Sequence, residues 1–484
     1  MKEFKWSGGY SPTADFLLPL LVCLVSLVVP ILLFSRIADP KFGAVMLFIV
    51  AIYSGARLSI VSLNGNGRIM QLFFWFYFYF FLALAPLAQL SGAWPWPAVV
   101  TDAEVLAAAI IVASAAASYE ASRFLAGRRE FELGPARNTR VLDVKRLAFV
   151  VPLMATSSVG VMFYLGGPLR LLQTRDSRFA TISEVGASNA SIGLISTALV
   201  STAFVSAYLM VVAKRQGLIR GWTISTVFLV VLALFVTNPL STNRYTLISV
   251  WAGLMLAYLW PLSRRKFAVV SGAVILGLAA VFPWLNQFRR STSEASFSGD
   301  LHTMLNHGDY DSFQQITSVV GLVSDQGHTW GHQLISALLF WVPRSLWEGK
   351  SVDTGVLAAQ NEGYVFVNLS APLPSEAYID FGIPGVVLIF ATIGSFTVWA
   401  EKKASDVQTL TSFTGLIVPI LAVYQVIILR GSLLQAVGSI AVVAVLLLVS
   451  TKKRRSSTRP HVDARPSGRL LKNGVALSPT QRGL

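Results

Sequence analysis

Eight arginines stand out by type and place: Arg170, Arg175, Arg178, Arg244, Arg289, Arg290, Arg344 and Arg430. All fall between or at the ends of apolar blocks, on the side of the chain that its other basic runs avoid. Guanidinium presents a planar fork of donors that grips phosphate oxygens in pairs and keeps its charge when partly desolvated. Lys offers a compact, strongly hydrated point charge instead. A diphosphate at a membrane surface is the natural ligand for such a set. The bland alternative is that these side chains reach phospholipid headgroups or pair with acids such as Asp176. Arg289-Arg290 follow Pro283-Trp284 at the end of one block, and Arg244 opens another after the Asn238-Pro239 turn, so both are placed to meet a headgroup.

Bases and sugar ligands are fewer. Asp309-Tyr310-Asp311, His328 and His332 lie in one long segment between blocks. The two histidines, four apart, are spaced to share a helical face, but no third ligand follows at metal spacing, so no zinc site is expected. Cys23 is the only cysteine and sits inside the first apolar block, which excludes an intrachain disulfide. No phosphate-binding glycine loop, serine elbow or paired carboxylate cluster appears in the basic segments.

The elements that must position these residues are membrane spans. With 54% hydrophobic and 13% charged residues over 484 positions, the chain has too little polar surface for a soluble globule. Its apolar residues come in blocks of about 20, enough to cross a hydrocarbon core of roughly 30 Å as helix. About twelve helices are expected, near 14–34, 43–63, 70–90, 103–122, 147–165, 191–213, 221–237, 245–260, 267–285, 383–400, 411–429 and 433–450. The first is read as a retained span, since no convincing cleavage site follows it. Trp94-Pro95-Trp96-Pro97 fits an interfacial aromatic belt.

With both termini cytoplasmic, every strongly basic run falls inside: Arg123 to Arg146, Lys214-Arg215, Arg264-Arg265-Lys266, Lys402-Lys403 and Lys452 to Arg455. The net charge of +15 is therefore topological and calls for no nucleic acid. Residues 1–450 form a single transmembrane domain with one large outer loop at about 286–382, and 451–484 a basic disordered tail drawn to anionic headgroups. A loop of that length in a compact membrane protein is usually functional. Within it, His332 to Trp347 is an apolar run too short to span but long enough to lie in the interface or re-enter it. Ser375 is placed as an N-cap for the helix that returns to the membrane. Arg57 and Glu120 fall toward the inner ends of their helices, where pairing suffices.

Tyr310-Asp311-Ser312-Phe313, Gly331, Val342-Pro343-Arg344-Ser345-Leu346-Trp347 with Lys350, Ser375-Glu376-Ala377-Tyr378 and Phe381-Gly382 together resemble the signature of the oligosaccharide repeat-unit polymerases of the O-antigen polymerase (Wzy) type. The resemblance covers about a quarter of the chain. One departure is Ser351, where the family commonly carries proline. The resemblance implies a GT-C-like all-α polytopic membrane glycosyltransferase of the bacterial plasma membrane. It also implies a glycan on undecaprenyl diphosphate as donor, with no cofactor and no metal, and a chain-length regulator and flippase as pathway partners beside the membrane lipids. Sugar C1 on diphosphate already has a good leaving group, so the protein must chiefly stabilise charge on the departing oxygens. Arg170, Arg175, Arg244, Arg289, Arg290 and Arg344 are the expected diphosphate ligands. Asp311, His332 and Glu376 are the candidate bases for the acceptor hydroxyl, in no order, and Tyr310, Trp347 and Tyr378 the candidate glycan contacts. Two rival activities remain: an O-antigen-type ligase, which His328 and His332 would suit, and a lipid-linked oligosaccharide flippase or other transporter, which would need cations nearer mid-membrane.

Overall fold

The computed structural model describes residues 12–64, 68–92, 94–97, 100–128, 140–173, 189–277, 301–306, 308–367, 369–405 and 410–453. Arg175, Arg178, Arg289 and Arg290, with most of the basic tail, lie outside them. The described chain is mostly helical. Its elements are α1 (Pro12–Phe34), α2 (Phe42–Asn64), α3 (Ile69–Leu90), α4 (Asp102–Arg128), β1 (Arg140–Leu142), α5 (Val144–Tyr164), α6 (Pro168–Leu171), α7 (Asn189–Arg215), α8 (Thr223–Val236), α9 (Arg244–Leu259) and α10 (Arg264–Leu276). The loop elements α11 (Leu301–Leu305), a 3₁₀ turn (Gly308–Tyr310), α12 (Ser312–Gln326), α13 (His332–Leu338) and α14 (Thr354–Asn361) follow. The chain then runs through α15 (Leu373–Ser405), α16 (Phe413–Arg430), α17 (Leu433–Ser450) and β2 (Thr451–Lys453).

Eight of these helices are long and apolar enough to cross a membrane, as in a polytopic α-helical membrane protein, and α1, α8 and α9 hold shorter apolar stretches. Side chains such as Phe149, Leu153, Ile224, Phe228 and Leu388 are more than half exposed on helix faces, an apolar belt that water would not tolerate over so many positions. α3 is apolar on every side and forms the centre of the bundle, with Phe74, Trp75, Phe76, Tyr77 and Phe78 fully buried. Its backbone widens into a π turn at Phe80–Leu84, next to Pro86, whose ring removes one helical N–H. Around it α15 packs along α4, α16 against α3 and α9, and α7 against α5, α8, α9 and α17.

Several expectations need correction. β1 pairs antiparallel with β2, Arg140 opposite Lys453, so the first residues of the tail are ordered strand in an otherwise helical fold. Arg140 and Arg146 donate to carbonyls of Leu448, Val449 and Thr451, satisfying the orphan acceptors that end α17. α15 begins ten residues before the expected 383. Its first two turns, Leu373 to Asp380, lie before a kink at Phe381 and Gly382 (φ 62°) that joins them to the longer remainder of the helix. Only glycine enters that left-handed region without strain. Ser375 is not the N-cap; it lies inside the first turn and donates its hydroxyl to Pro372 O at 2.7 Å. His328 and His332 share no helical face, because α13 starts at His332. The apolar run is helical only to Leu338, and it leaves Ile335, Leu338, Trp341 and Leu346 exposed beside α15 and α17.

Candidate functional site

At the loop end of the bundle a cleft of about 1340 Å³ opens between α7, α9, α16 and α17, under the loop segments 308–311, 340–353 and 366–370. Its walls, apolar side chains interspersed with Tyr424, Gln435 and Ser439, descend from Arg430 to Ile420 on α16 and from Leu434 to Val443 on α17. Ten residues of helix span about 15 Å, half of a hydrocarbon core of roughly 30 Å. Its charged lining, Arg244, Arg344, Arg430, Lys350, Asp309, Asp311 and Asp353, is gathered at the mouth. The volume exceeds the roughly 300–1,000 Å³ of a single small-molecule pocket.

Two ion pairs tie the loop to the spans. Arg244, the first residue of α9, grips Asp309 through both terminal nitrogens, Nη1 to Oδ2 at 2.8 Å and Nη2 to Oδ1. Arg430, at the last turn of α16, donates through Nη2 to Asp311 Oδ1 at 2.8 Å and to Asp309 O at 3.1 Å. Its guanidinium lies 4.5 Å from the Tyr245 ring centroid, and its Nε is buried without a hydrogen-bond partner. Asp311 Oδ2 accepts the Ser370 N–H at 2.8 Å. The dipole at the C-terminus of α16 favours a cation such as Arg430, whereas Arg244 opens α9 against its dipole and is neutralised by Asp309; Asn243 caps α9 by accepting the Thr246 N–H.

The PRSLW-to-Lys350 motif is a fastening. Lys350 Nζ donates to Leu339 O, Phe340 O and Val342 O at 2.9–3.0 Å, collecting the carbonyls that end α13. Burial and the neighbouring Arg344 lower its pKa from the usual lysine value. Arg344 donates in turn to Lys350 O and Ser351 O. Ser351 donates its N–H to Ser336 Oγ at 3.0 Å, a bond that a proline at this position could not make.

Asp353 caps α14, and its carboxylate accepts the Gly355 N–H at 3.0 Å and Gln435 Nε2 at 2.6 Å. Burial raises its pKa above the ordinary carboxylate value, opposed in part by Gly355, the Ser432 hydroxyl and Gln435.

The structure thus gathers Arg244, Arg344 and Asp311 of the expected residues in one cleft, together with Arg430. Of the other expected residues that the structure describes, none lines the cleft. Glu376 is buried behind the cleft, where both carboxylate oxygens accept the Leu433 N–H that opens α17, at 3.0 and 3.2 Å. One turn further on, Asp380 accepts the Gln333 and Leu334 N–H groups that open α13. Two acids on one face of α15 therefore cap two other helices. His332 packs its ring 5.7 Å from Trp347, and Tyr378 lies edge-on to His328 at 5.6 Å. Tyr310 is buried against Phe81, and burial raises its pKa. Arg170 sits on α6, folded back over Gly166, and does not line the cleft. Asp309, Lys350 and Asp353 also line the cleft, and of these Asp353 was not singled out in the sequence. Asp309 was legible beside Asp311, but Asp353 before Thr354-Gly355 reads only as a helix cap. Among the described residues no group of three or more His, Cys, Asp or Glu is arranged to hold a metal ion. Comparison with protein families, curated proteins and solved structures finds no match to this chain.

Proposed function

We propose that this protein is a membrane glycosyltransferase that polymerises oligosaccharide repeat units carried on undecaprenyl diphosphate. One observation carries the reading: a single cleft joins an uncharged shaft of apolar and small polar side chains, about half a bilayer deep, to a mouth lined by three guanidiniums, an ammonium and three carboxylates. A long-chain lipid with an anionic head matches that division, and a volume above that of one small ligand leaves room for donor and acceptor together. The resemblance of the loop motifs to O-antigen polymerases supplies the chemistry.

In this reading about twelve spans adopt a GT-C-like arrangement, the termini are cytoplasmic and the loop end faces outward. The fixed guanidiniums stabilise negative charge on the departing diphosphate, in a wall already organised by Asp309 and Asp311. Asp309 and Asp311 hold Arg244 and Arg430 in place, and the carbonyls of Lys350 and Ser351 hold Arg344, all within the lining of the cleft. No nucleotide sugar enters the scheme. Cations gathered at the mouth, with uncharged walls below, favour chemistry at the surface over passage through the bilayer.

The test is purified protein in lipid nanodiscs with lipid-linked repeat units as the sole substrate. Lengthened lipid-linked glycan is expected. Transfer only after a second lipid acceptor is added would make the protein a ligase, and translocation across proteoliposomes at unchanged glycan length would make it a transporter. Orientation is tested in a Cys23→Ser background: Ser324→Cys, on the exposed end of α12, should react with an impermeant thiol reagent in intact cells. Lys453→Cys on β2 should react only after permeabilisation, and the reverse pattern would invert the topology.

A further inference from the structure

We propose that Asp353 is the general base of the transfer, taking the proton of the acceptor hydroxyl as that oxygen bonds to the anomeric carbon. The assignment rests on the glycosyl-transfer reading and deepens it. Three carboxylates line the cleft, and they differ in what holds them. Asp309 lies in the two-toothed grip of Arg244, and Asp311 is shared between Arg430 and the Ser370 N–H. A guanidinium partner occupies the lone pairs that an acceptor hydroxyl would need. Asp353 is held by neutral donors alone, the Gly355 N–H and the Gln435 amide, with the Ser432 hydroxyl beside it, and among the described residues no cation pairs with it. The Gly355 and Gln435 bonds fix its orientation, one on each oxygen, and three neutral donors leave one of the carboxylate's about four lone-pair sites open.

Its surroundings suit the role. Gln435 belongs to the wall of α17, and Ser432 and Leu434 flank the same stretch of cleft. Facing charges are Lys350, engaged with three carbonyls, Arg344, engaged with two, and Glu376 behind Thr354. Arg430, Arg244, Asp309 and Asp311 complete the rim. Burial holds the Asp353 proton affinity above that of an ordinary carboxylate, in the direction a general base needs.

The step balances without a further reactant. The acceptor oxygen forms its bond to C1, and the bond from C1 to the phosphate oxygen breaks with its electron pair going to the lipid diphosphate. The hydroxyl proton passes to the Asp353 carboxylate, which releases it to water after the product leaves.

The test compares wild type with Asp353→Asn in nanodiscs, using lipid-linked repeat units at a series of pH values. General-base contributions are typically about 10²–10⁴-fold. Asp353→Asn should lose turnover on that scale with KM for the lipid donor nearly unchanged. The wild-type kcat/KM should fall on the acid side, with its midpoint above the ordinary carboxylate range near 4, and the residual activity of the variant should lack that limb. An acceptor bearing a thiol in place of the hydroxyl ionises without help, so the variant should recover most of its rate on it. Lengthening by Asp353→Asn at the wild-type rate overturns the assignment and leaves the polymerase reading standing. A variant that fails to fold leaves the decision to the wild-type profile: a rate constant down to pH 4 overturns the assignment. Wild type that extends no glycan under any of these conditions overturns both.

Discussion

The chain buries guanidinium–carboxylate clusters at its two ends, and they are built differently. Away from the loop, Glu120 on α4 takes Arg57 of α2 at 3.2 Å and Arg123, one turn along its own helix, with Nε at 3.0 Å. All three groups sit on spanning helices, and none lines the cleft. At the loop end the carboxylates of Asp309 and Asp311 stand on a 3₁₀ turn and its exit, the arginines on α9 and α16, and the set forms the rim of the cleft. One carboxylate between two cations joins helix to helix. Two loop carboxylates on two helix-borne cations fix the loop over an opening that all four residues line. Charge burial by itself therefore marks no site; the space in front of it does.

The largest break in that comparison is expected at Arg430. Arg430→Ala removes the guanidinium whose Nε has no hydrogen-bond partner among the described residues, and turnover should fall by about 10²–10³-fold, the usual scale for one electrostatic contact to developing charge. Arg430→Lys should recover a minor part, because it restores charge without the fork. kcat and KM on purified protein, with thermal midpoints as a folding control, separate lost transition-state contact from lost structure. Full-length glycan ladders from Arg430→Ala at wild-type abundance would remove the cluster from the mechanism.

Glu376 sharpens the contrast between capping and chemistry. Glu376→Ala leaves the Leu433 N–H unsatisfied, and cap losses of this kind cost about 0.5–2 kcal/mol. Its thermal midpoint should drop while kcat per folded molecule stays close to wild type, and Glu376→Gln, which keeps an acceptor, should lose less. A Glu376→Gln protein of unchanged midpoint and abolished turnover would return Glu376 to the reaction.

These outcomes follow from what a sequence does and does not display. Spans are legible because each needs about 20 apolar residues regardless of its neighbours, and α17 begins and ends where its block does. α15 starts early because Leu373–Asp380 carries Ser, Glu and Asp, a polar pattern that looks like loop until the Gly382 kink joins it to the span. Arg244, Arg344 and Asp311 are legible as charges placed against the topological trend. Who neutralises them is not: Arg430 and Asp311 are 119 residues apart, and Glu376 and Leu433 are 57 apart. Glu376 and Asp353 are both acids in the loop region, and only the fold shows that one serves a helix end while the other serves a helix end and lines the cleft as well.

The smallest effect is expected at the far cluster, and it tests the comparison from the other side. Arg57→Ala takes one of two cations from Glu120, which keeps Arg123 through Nε and Nη2. Emptying a buried pair outright costs about 3–5 kcal/mol. Here the carboxylate stays paired and its side chain is one-fifth exposed, so the cost should be nearer 1 kcal/mol. That loss should appear as a modest fall in thermal midpoint, because Arg57 bridges α2 to α4 and its removal loosens a helix contact. Turnover per folded molecule should not change, since nothing in this cluster reaches the cleft. A drop in kcat of tenfold or more at an unaltered midpoint would mean that the two ends of the bundle communicate. The far cluster would then have to be treated as part of the reaction cycle and not as a fastening between helices.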